Sequence, residues 1–147
     1  MWTPLFLTHL AQANAELRQF KPAWTNIHEA MFAVERTKEN WYEAETNRVA
    51  GEIALLGAEP DAEKAEAYFA KALDIARKQQ ARSWELRAAM SMARLLHARG
   101  KRKRAHDILA LAYGWFTEGF DTRDLREARL LLVELAQDHP IDATPMA

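Results

Sequence analysis

One spacing recurs three times and restricts this chain to a narrow set of folds. Ala23, Ile27 and Ala30 stand in the order small, large apolar, small, at i, i+4 and i+7. So do Ala65, Phe69 and Ala72, and again Ala105, Leu109 and Ala112. The copies lie 42 and 40 residues apart. The spacing puts all three side chains on one face of an α-helix. Helices approach to about 8 Å only where the facing side chains are small, so each copy marks a close helix contact with a large residue filling the hole one turn on. Upstream of each copy lies another small residue, Ala11, Gly51 or Ala93, followed three positions later by Asn14, Ala54 or Leu96. The unit is therefore a helix pair, repeated three times in 147 residues.

Helical periodicity runs through the whole chain, and its glycines and prolines, Gly51 apart, fall between the periodic segments or at their starts. Thr3-Pro4 and Lys21-Pro22 open the first two helices, because proline at the first helical position lacks only an N–H that would be orphaned anyway. Asn40 with Glu43 forms a capping-box pattern for the third. Glu59-Pro60-Asp61 starts the fourth, Ser83 is expected to cap the fifth, and Gly100 ends it in the left-handed position. A sixth helix is expected over about 101–116 and a seventh over about 123–137, stopped by His139-Pro140. The expected fold is all-α: three helix hairpins at about 3–37, 40–80 and 83–117 with a C-terminal capping helix, in one helical-repeat domain of residues 1–139. Residues 140–147 carry no pattern and read as a disordered tail.

Charge is unevenly distributed. The net charge is −1, but residues 1–75 carry 7 basic and 12 acidic side chains, and residues 107–147 carry 3 basic and 8 acidic. Between them, residues 76–106 hold 10 basic side chains and a single acid, Glu85. Such a belt can steer an anionic partner; its plain alternative is a solvated helix face. Lys101-Arg-Lys-Arg104 could form a nucleic-acid patch, but no aromatic residues interleave with it as a single-strand platform requires. The chain has no cysteine, which excludes disulfides and thiolate metal sites and suits a cytoplasmic location. No apolar run approaches the roughly 20 residues that span a bilayer. The segment from Met1 to Ala15 lacks a basic n-region and is broken by Thr8-His9, so it reads as a helix and not a signal peptide.

The paired-helix pattern resembles the tetratricopeptide repeat: small-x-x-large, a turn glycine, then A-x-x-x-F-x-x-A. The third pair follows it in full, through Ala93, Leu96, Gly100, Ala105, Leu109 and Ala112. The second carries an insertion from Gly57 to Pro60. The first departs, with Asn14 where a large residue belongs and Arg18 where the turn glycine belongs. A narrower resemblance covers residues 41–135. The runs Trp41-Tyr-Glu-Ala-Glu45, Arg48-Val-Ala-Gly51-Glu52, Ala76 to Arg87 and Tyr113-Gly-Trp-Phe-Thr-Glu-Gly-Phe-Asp-Thr-Arg-Asp-Leu-Arg126 are similar to the helical-repeat segment that ends a bacterial multidomain family. Its members join an adenylate cyclase or a DNA-binding transcriptional domain to a predicted signal-transduction ATPase. The resemblance implies a regulatory, sensory C-terminal segment and no catalysis here, because cyclase and ATPase motifs are absent.

Other chemistry has little support in the sequence. There is no G-x-x-x-x-G-K-[ST] phosphate loop and no G-x-G-x-x-G. Nor is there a G-x-S-x-G elbow. The five histidines form no H-x-x-x-H, so neither metal nor cofactor is expected. The five tryptophans read as packing anchors between helices. In the tetratricopeptide register the first helix of each pair lines a concave groove. That register implies a binding surface made of Gln12 and Glu16; Glu45, Arg48 and Glu52; and Arg87, Met90, Arg94 and His97. It would be acidic over its first two-thirds and basic over its last third. The expected function is a non-catalytic scaffold for a peptide, a partner protein or a neighbouring domain. The alternative is a nucleic-acid-associated module of a transcriptional regulator using the 76–106 belt. Trp2, Leu5, Phe6, Leu10 and Leu17 make the first helix apolar with no polar helix before it, so a homodimer through the first hairpin is expected. The last helix should cap the other end, with Leu125, Ala128, Leu132 and Leu135 inward and Arg123, Asp124, Arg126, Glu127 and Glu134 outward.

Overall fold

The computed structural model describes residues 3–38 and 40–137. The described residues form seven α-helices and no strand: α1 (Thr3–Glu16), α2 (Phe20–Thr37), α3 (Glu43–Leu56), α4 (Ala62–Lys78), α5 (Arg82–Ala98), α6 (Arg102–Tyr113) and α7 (Arg123–Ala136). The expected tail at 140–147, Trp2 and the His139-Pro140 stop lie outside them. The α1–α2, α3–α4 and α5–α6 pairs pack as hairpins, and each hairpin touches only its neighbours. The first helices form one row, α1 on α3, α3 on α5 and α5 on α7, while α2, α4 and α6 each pack on the helix that follows.

The recurrent spacing lies where the helices meet. All nine of its residues, from Ala23 to Ala112, are wholly buried, as are Ala11 and Ala93. At Gly51 the reason is visible in atomic detail. A β-carbon there would stand 2.4 Å from the ring of Phe69, itself fully buried. Glycine at this position lets α3 and α4 close on each other, and Phe69 fills the space that the missing side chain leaves.

Three turns, two within hairpins and one joining the second hairpin to the third, share one device. Gly100 has φ +80°, its N–H bonds the His97 carbonyl at 3.0 Å, and the Lys101 N–H reaches back to Leu96 at 2.8 Å. This pair of bonds is the Schellman closure of a helix end. Gln80 and Arg18 adopt the same left-handed conformation, at φ 54° and 63°, with matching backbone bonds. Arg18 thus stands in the turn-glycine position of the first pair and takes up the glycine's backbone conformation. Its guanidinium also donates to the Leu56 carbonyl at the end of α3, 2.8 Å away, a contact that glycine could not make and that offsets the cost of a left-handed non-glycine residue.

Two expected caps do not form. Ser83 lies inside α5, which begins directly after the Gln80 turn with Ala81 as its first flanking residue. Asn40 lies upstream of α3, whose flanking residue is Tyr42. Aromatic packing sets this helix start: Tyr42 is buried edge-on against Trp84 at 5.4 Å, and Trp84 Nε1 donates to the Trp41 carbonyl at 3.1 Å. The acidic start of α4 is as expected, with Asp61 accepting from the Lys64 N–H at 3.0 Å. The two ends of the stack differ from a fully capped array. Phe6 on α1 and Leu17 in the turn after it are 65% and 69% exposed, in line with the bare N-terminal face. On α7, Leu125, Ala128 and Leu135 are buried as expected, but its outer side is not uniformly polar: Leu130 is 65% exposed and Val133 is exposed beside it. Leu130, two residues past Ala128, points more than half a turn away from the core.

Gly51→Ala should lower stability by about 1–3 kcal/mol through overpacking. Phe69→Leu should recover part of that loss when combined with it, a non-additivity expected of touching residues. Urea midpoints of the two single variants and the double variant measure both effects.

Candidate ligand-binding cleft

The row formed by α3, α5 and α7 is held together by charge. Glu45 on α3 is buried and receives two arginines. Arg48, one turn on, donates from Nε and Nη2 at 2.8 and 2.7 Å. Arg87, on α5, donates from Nε and Nη2 to the same Oε2 at 3.2 and 3.0 Å. The other side of Arg87 reaches Asp124 at the start of α7, 3.3 Å away. Arg48 also approaches Ser91 Oγ at 3.4 Å and Glu52 at 3.9 Å. A buried carboxylate is tolerated only when paired and hydrogen-bonded. Burial pushes the Glu45 carboxyl up, but the Arg48 and Arg87 guanidiniums more than offset this and hold it below its ordinary 4.5. Burial, and then the Glu45 charge, push the neighbouring Tyr42 phenol up to about 12; protonated at neutral pH, it lies 3.0 Å from His9 Nε2.

Above this network opens a polar cleft of about 280 Å³. Five of the residues expected in the groove line it: Gln12, Arg48, Arg87, Met90 and Arg94. Glu45 lies beneath, hidden by its two arginines, so the expected acidic stretch is not an open acidic surface. Glu52 borders the site through Arg48. His97 pairs with Glu134 at 3.4 Å, further along the row. Glu16 is exposed and lines none of the cavities described here. The sequence reading missed one wall, made by Arg123, Asp124 and Glu127 of α7, together with Ser91. Residues 124 and 127 are one helical turn apart. Running the groove register on into α7, instead of treating that helix as a cap with its charges in water, would have found them.

Most of the basic belt is paired in space. Glu85 takes Arg77 at 3.3 Å and Arg82 at 3.0 Å. Glu66 takes Arg99 at 2.9 Å and Arg104 at 3.6 Å. Lys103 pairs with Asp107, and Arg102 donates to the Gln137 carbonyl. Among the described residues no group of three or more His, Asp or Glu is placed to hold a metal ion, and no helix is long and apolar enough to cross a membrane. Against protein-family models, curated proteins and solved structures, the chain gives no match in any of the three comparisons.

Glu45→Gln should cost roughly 3–5 kcal/mol at neutral pH, because it leaves the two arginines without their shared anion. A carboxyl whose folded pKa is depressed contributes stability above its unfolded value, and that stability is lost as pH falls through the folded value. The gap in urea midpoint between wild type and Glu45→Gln should therefore be widest near neutrality and close as the pH falls below the ordinary glutamate range, through the depressed folded value. A gap that widens with acid would contradict the pairing.

Proposed function

We propose that this chain is a non-catalytic interaction scaffold of tetratricopeptide type, the regulatory C-terminal part of a signal-transduction protein of the adenylate cyclase or ATPase-regulator kind. One observation carries the binding part of this reading: five residues chosen from the repeat register alone converge on one polar cleft. The nearest-neighbour packing of the hairpins and the burial of all nine repeat positions support the repeat assignment. The ligand is a peptide, a partner protein or a neighbouring domain of the parent protein. Nucleic acid is the weaker alternative, because most of the belt's arginines already share carboxylates.

Selection of a random-peptide display library on the immobilised chain tests this. Enriched peptides should bind wild type and Lys101→Glu alike and lose about tenfold affinity in Arg94→Glu, as expected when a charged contact is reversed. Ligands indifferent to Arg94 would refute the cleft. Duplex DNA binding that weakens steeply with salt and depends on Lys101 to Arg104 would favour the alternative.

On the same reading the bare face of the first hairpin, with Phe6, Leu10 and Leu17 exposed, is covered by a second copy in a two-fold dimer. Light scattering over a concentration series should report a dimer for wild type and a monomer for Leu10→Glu. A strict monomer at high concentration ends this part of the proposal.

A further inference from the structure

The last helix follows the register of a first helix on its inward side and departs from it on its outer side. On α3, Thr46, Ala50 and Ile53 face the preceding pair: the Thr46 hydroxyl lies 2.8 Å from that of Thr8 on α1, and Ala50 and Ile53 pack into the core of the first hairpin. Ala128, Leu132 and Leu135 stand 82 residues further on and form the inward side of α7. Gly51 faces the other way, onto Phe69 of the second helix α4. Its place is held by Ala93 on α5, wholly buried, and by Val133 on α7, 52% exposed. Val133 therefore lies where a first helix meets the second helix of its own pair. Among the described residues α7 packs only on α5 and α6.

The same register places Arg126 and Arg129 where α5 has Leu86 and Ala89, both buried. The two arginines are exposed, and among the described residues neither side chain has an ion-pair or hydrogen-bond partner. The carboxylates of α7 point along the row instead, with Asp124 on Arg87, Glu127 on Arg94 and Glu134 on His97. We propose that the outer face of α7 docks an acidic amphipathic helix of a partner protein, lying along α7 as α4 lies along α3. The inference rests on the helix-pair register of the scaffold reading and uses no part of the cleft.

Register gives the shape of the partner and charge gives its class. Arg126, Arg129, Leu130 and Val133 stand at i, i+3, i+4 and i+7, so they form one face two turns long. That is the spacing through which amphipathic helices engage one another. An ordinary second helix would press apolar side chains on both arginines, and burying a cation without an anion is costly. Carboxylates on the docking helix remove that cost through the paired hydrogen bonds that guanidinium groups make with them. Val133 is larger than the Gly51 and Ala93 of the other pairs, so the helix carries a small residue opposite it. Two apolar side chains, Leu130 and Val133, give a lipid surface little to hold, whereas a helix that is apolar in the middle and acidic beside it uses the whole face.

Thiol protection tests this, because the chain has no cysteine. Val133→Cys puts a single small thiol on the face, and Lys71→Cys puts one at an exposed position of α4 as a control. The probe is a synthetic amphipathic helix with small, large and small apolar residues at i, i+4 and i+7 and glutamates flanking them; a second version carries lysines in place of the glutamates. The glutamate helix should slow maleimide alkylation of the Val133→Cys thiol and leave the Lys71→Cys thiol unchanged. The lysine helix should protect neither. Reversing Arg126→Glu and Arg129→Glu together should weaken the glutamate helix about tenfold and let the lysine helix bind, with circular dichroism checking that the helices persist. Equal protection by both helices overturns the acidic class, and no protection by the glutamate helix overturns the docking face. Protection by anionic lipid vesicles but not by the glutamate helix makes the face a lipid surface and overturns the proposal. So does protection with nothing added: if it grows with chain concentration a second copy covers the face, and if it does not, residues 138–147 do. Arg94 lies off this face, so a failure here leaves the cleft standing, and loss of the cleft leaves this result unchanged.

Discussion

The closeness of α3 to α4 is the constraint on which the rest of the stack depends. Gly51 leaves no room for even a β-carbon beside Phe69. The same logic, with alanine in place of glycine, operates at Ala11 and Ala93. Small residues cost hydrophobic area, since an alanine buries little surface. They return it as backbone proximity, which lets one large residue per hairpin, Ile27, Phe69 or Leu109, be enclosed completely. Because each hairpin is closed in this way, the first helices are brought into one row, and the cleft exists only because of that row.

Charge then fixes the row. Four carboxylates, Glu45, Glu66, Glu85 and Glu127, each lie between two arginines. Their burial differs widely, and so does their consequence. Glu45 and Glu85 are almost fully buried, where a half-made pair is costly, so they lock neighbouring elements in one arrangement. Glu66 and Glu127 are more exposed, where such pairs contribute little to stability and can exchange partners. At the cleft, the rigid pairing on Glu45 lies beneath the site and the exchangeable one on Glu127 lies at its surface.

Much of the fold was legible in the sequence, because helix pairing is written in local spacing. The i, i+4, i+7 triplets located the buried contacts, and Gly100 located a turn whose conformation Arg18 reproduces without being glycine. What escaped was non-local. Asn40 and Ser83 have good capping chemistry, but Tyr42 against Trp84 and the Gln80 turn decide where α3 and α5 begin. The belt of residues 76–106 looked like a charged surface because its acidic partners lie outside it in sequence, at Glu45, Glu66, Asp124 and Glu127. Only the stacking of hairpins brings those residues together. Glu45 was placed correctly on the groove row, yet its burial could not be read, since the shielding by Arg87 comes from the next hairpin.

The last helix shows why a single periodic face is an incomplete guide. Leu125, Ala128 and Leu135 gave α7 an inward side, and the charges around them suggested an outward one. Yet Asp124, Glu127 and Glu134 turn along the row toward Arg87, Arg94 and His97, and the residues left facing away include Leu130 and Val133. A helix that spends its carboxylates on the preceding first helix is placed as α3 and α5 are placed, as the next member of the row. The segment from Tyr113 to Arg126 both ends the third hairpin and delivers Asp124 to Arg87. In doing so it walls a pocket that adjoins the cleft. Its length and composition follow from meeting three requirements at once: a turn at Gly119, aromatic bracing through Trp115 and Phe120, and an acid at the start of α7.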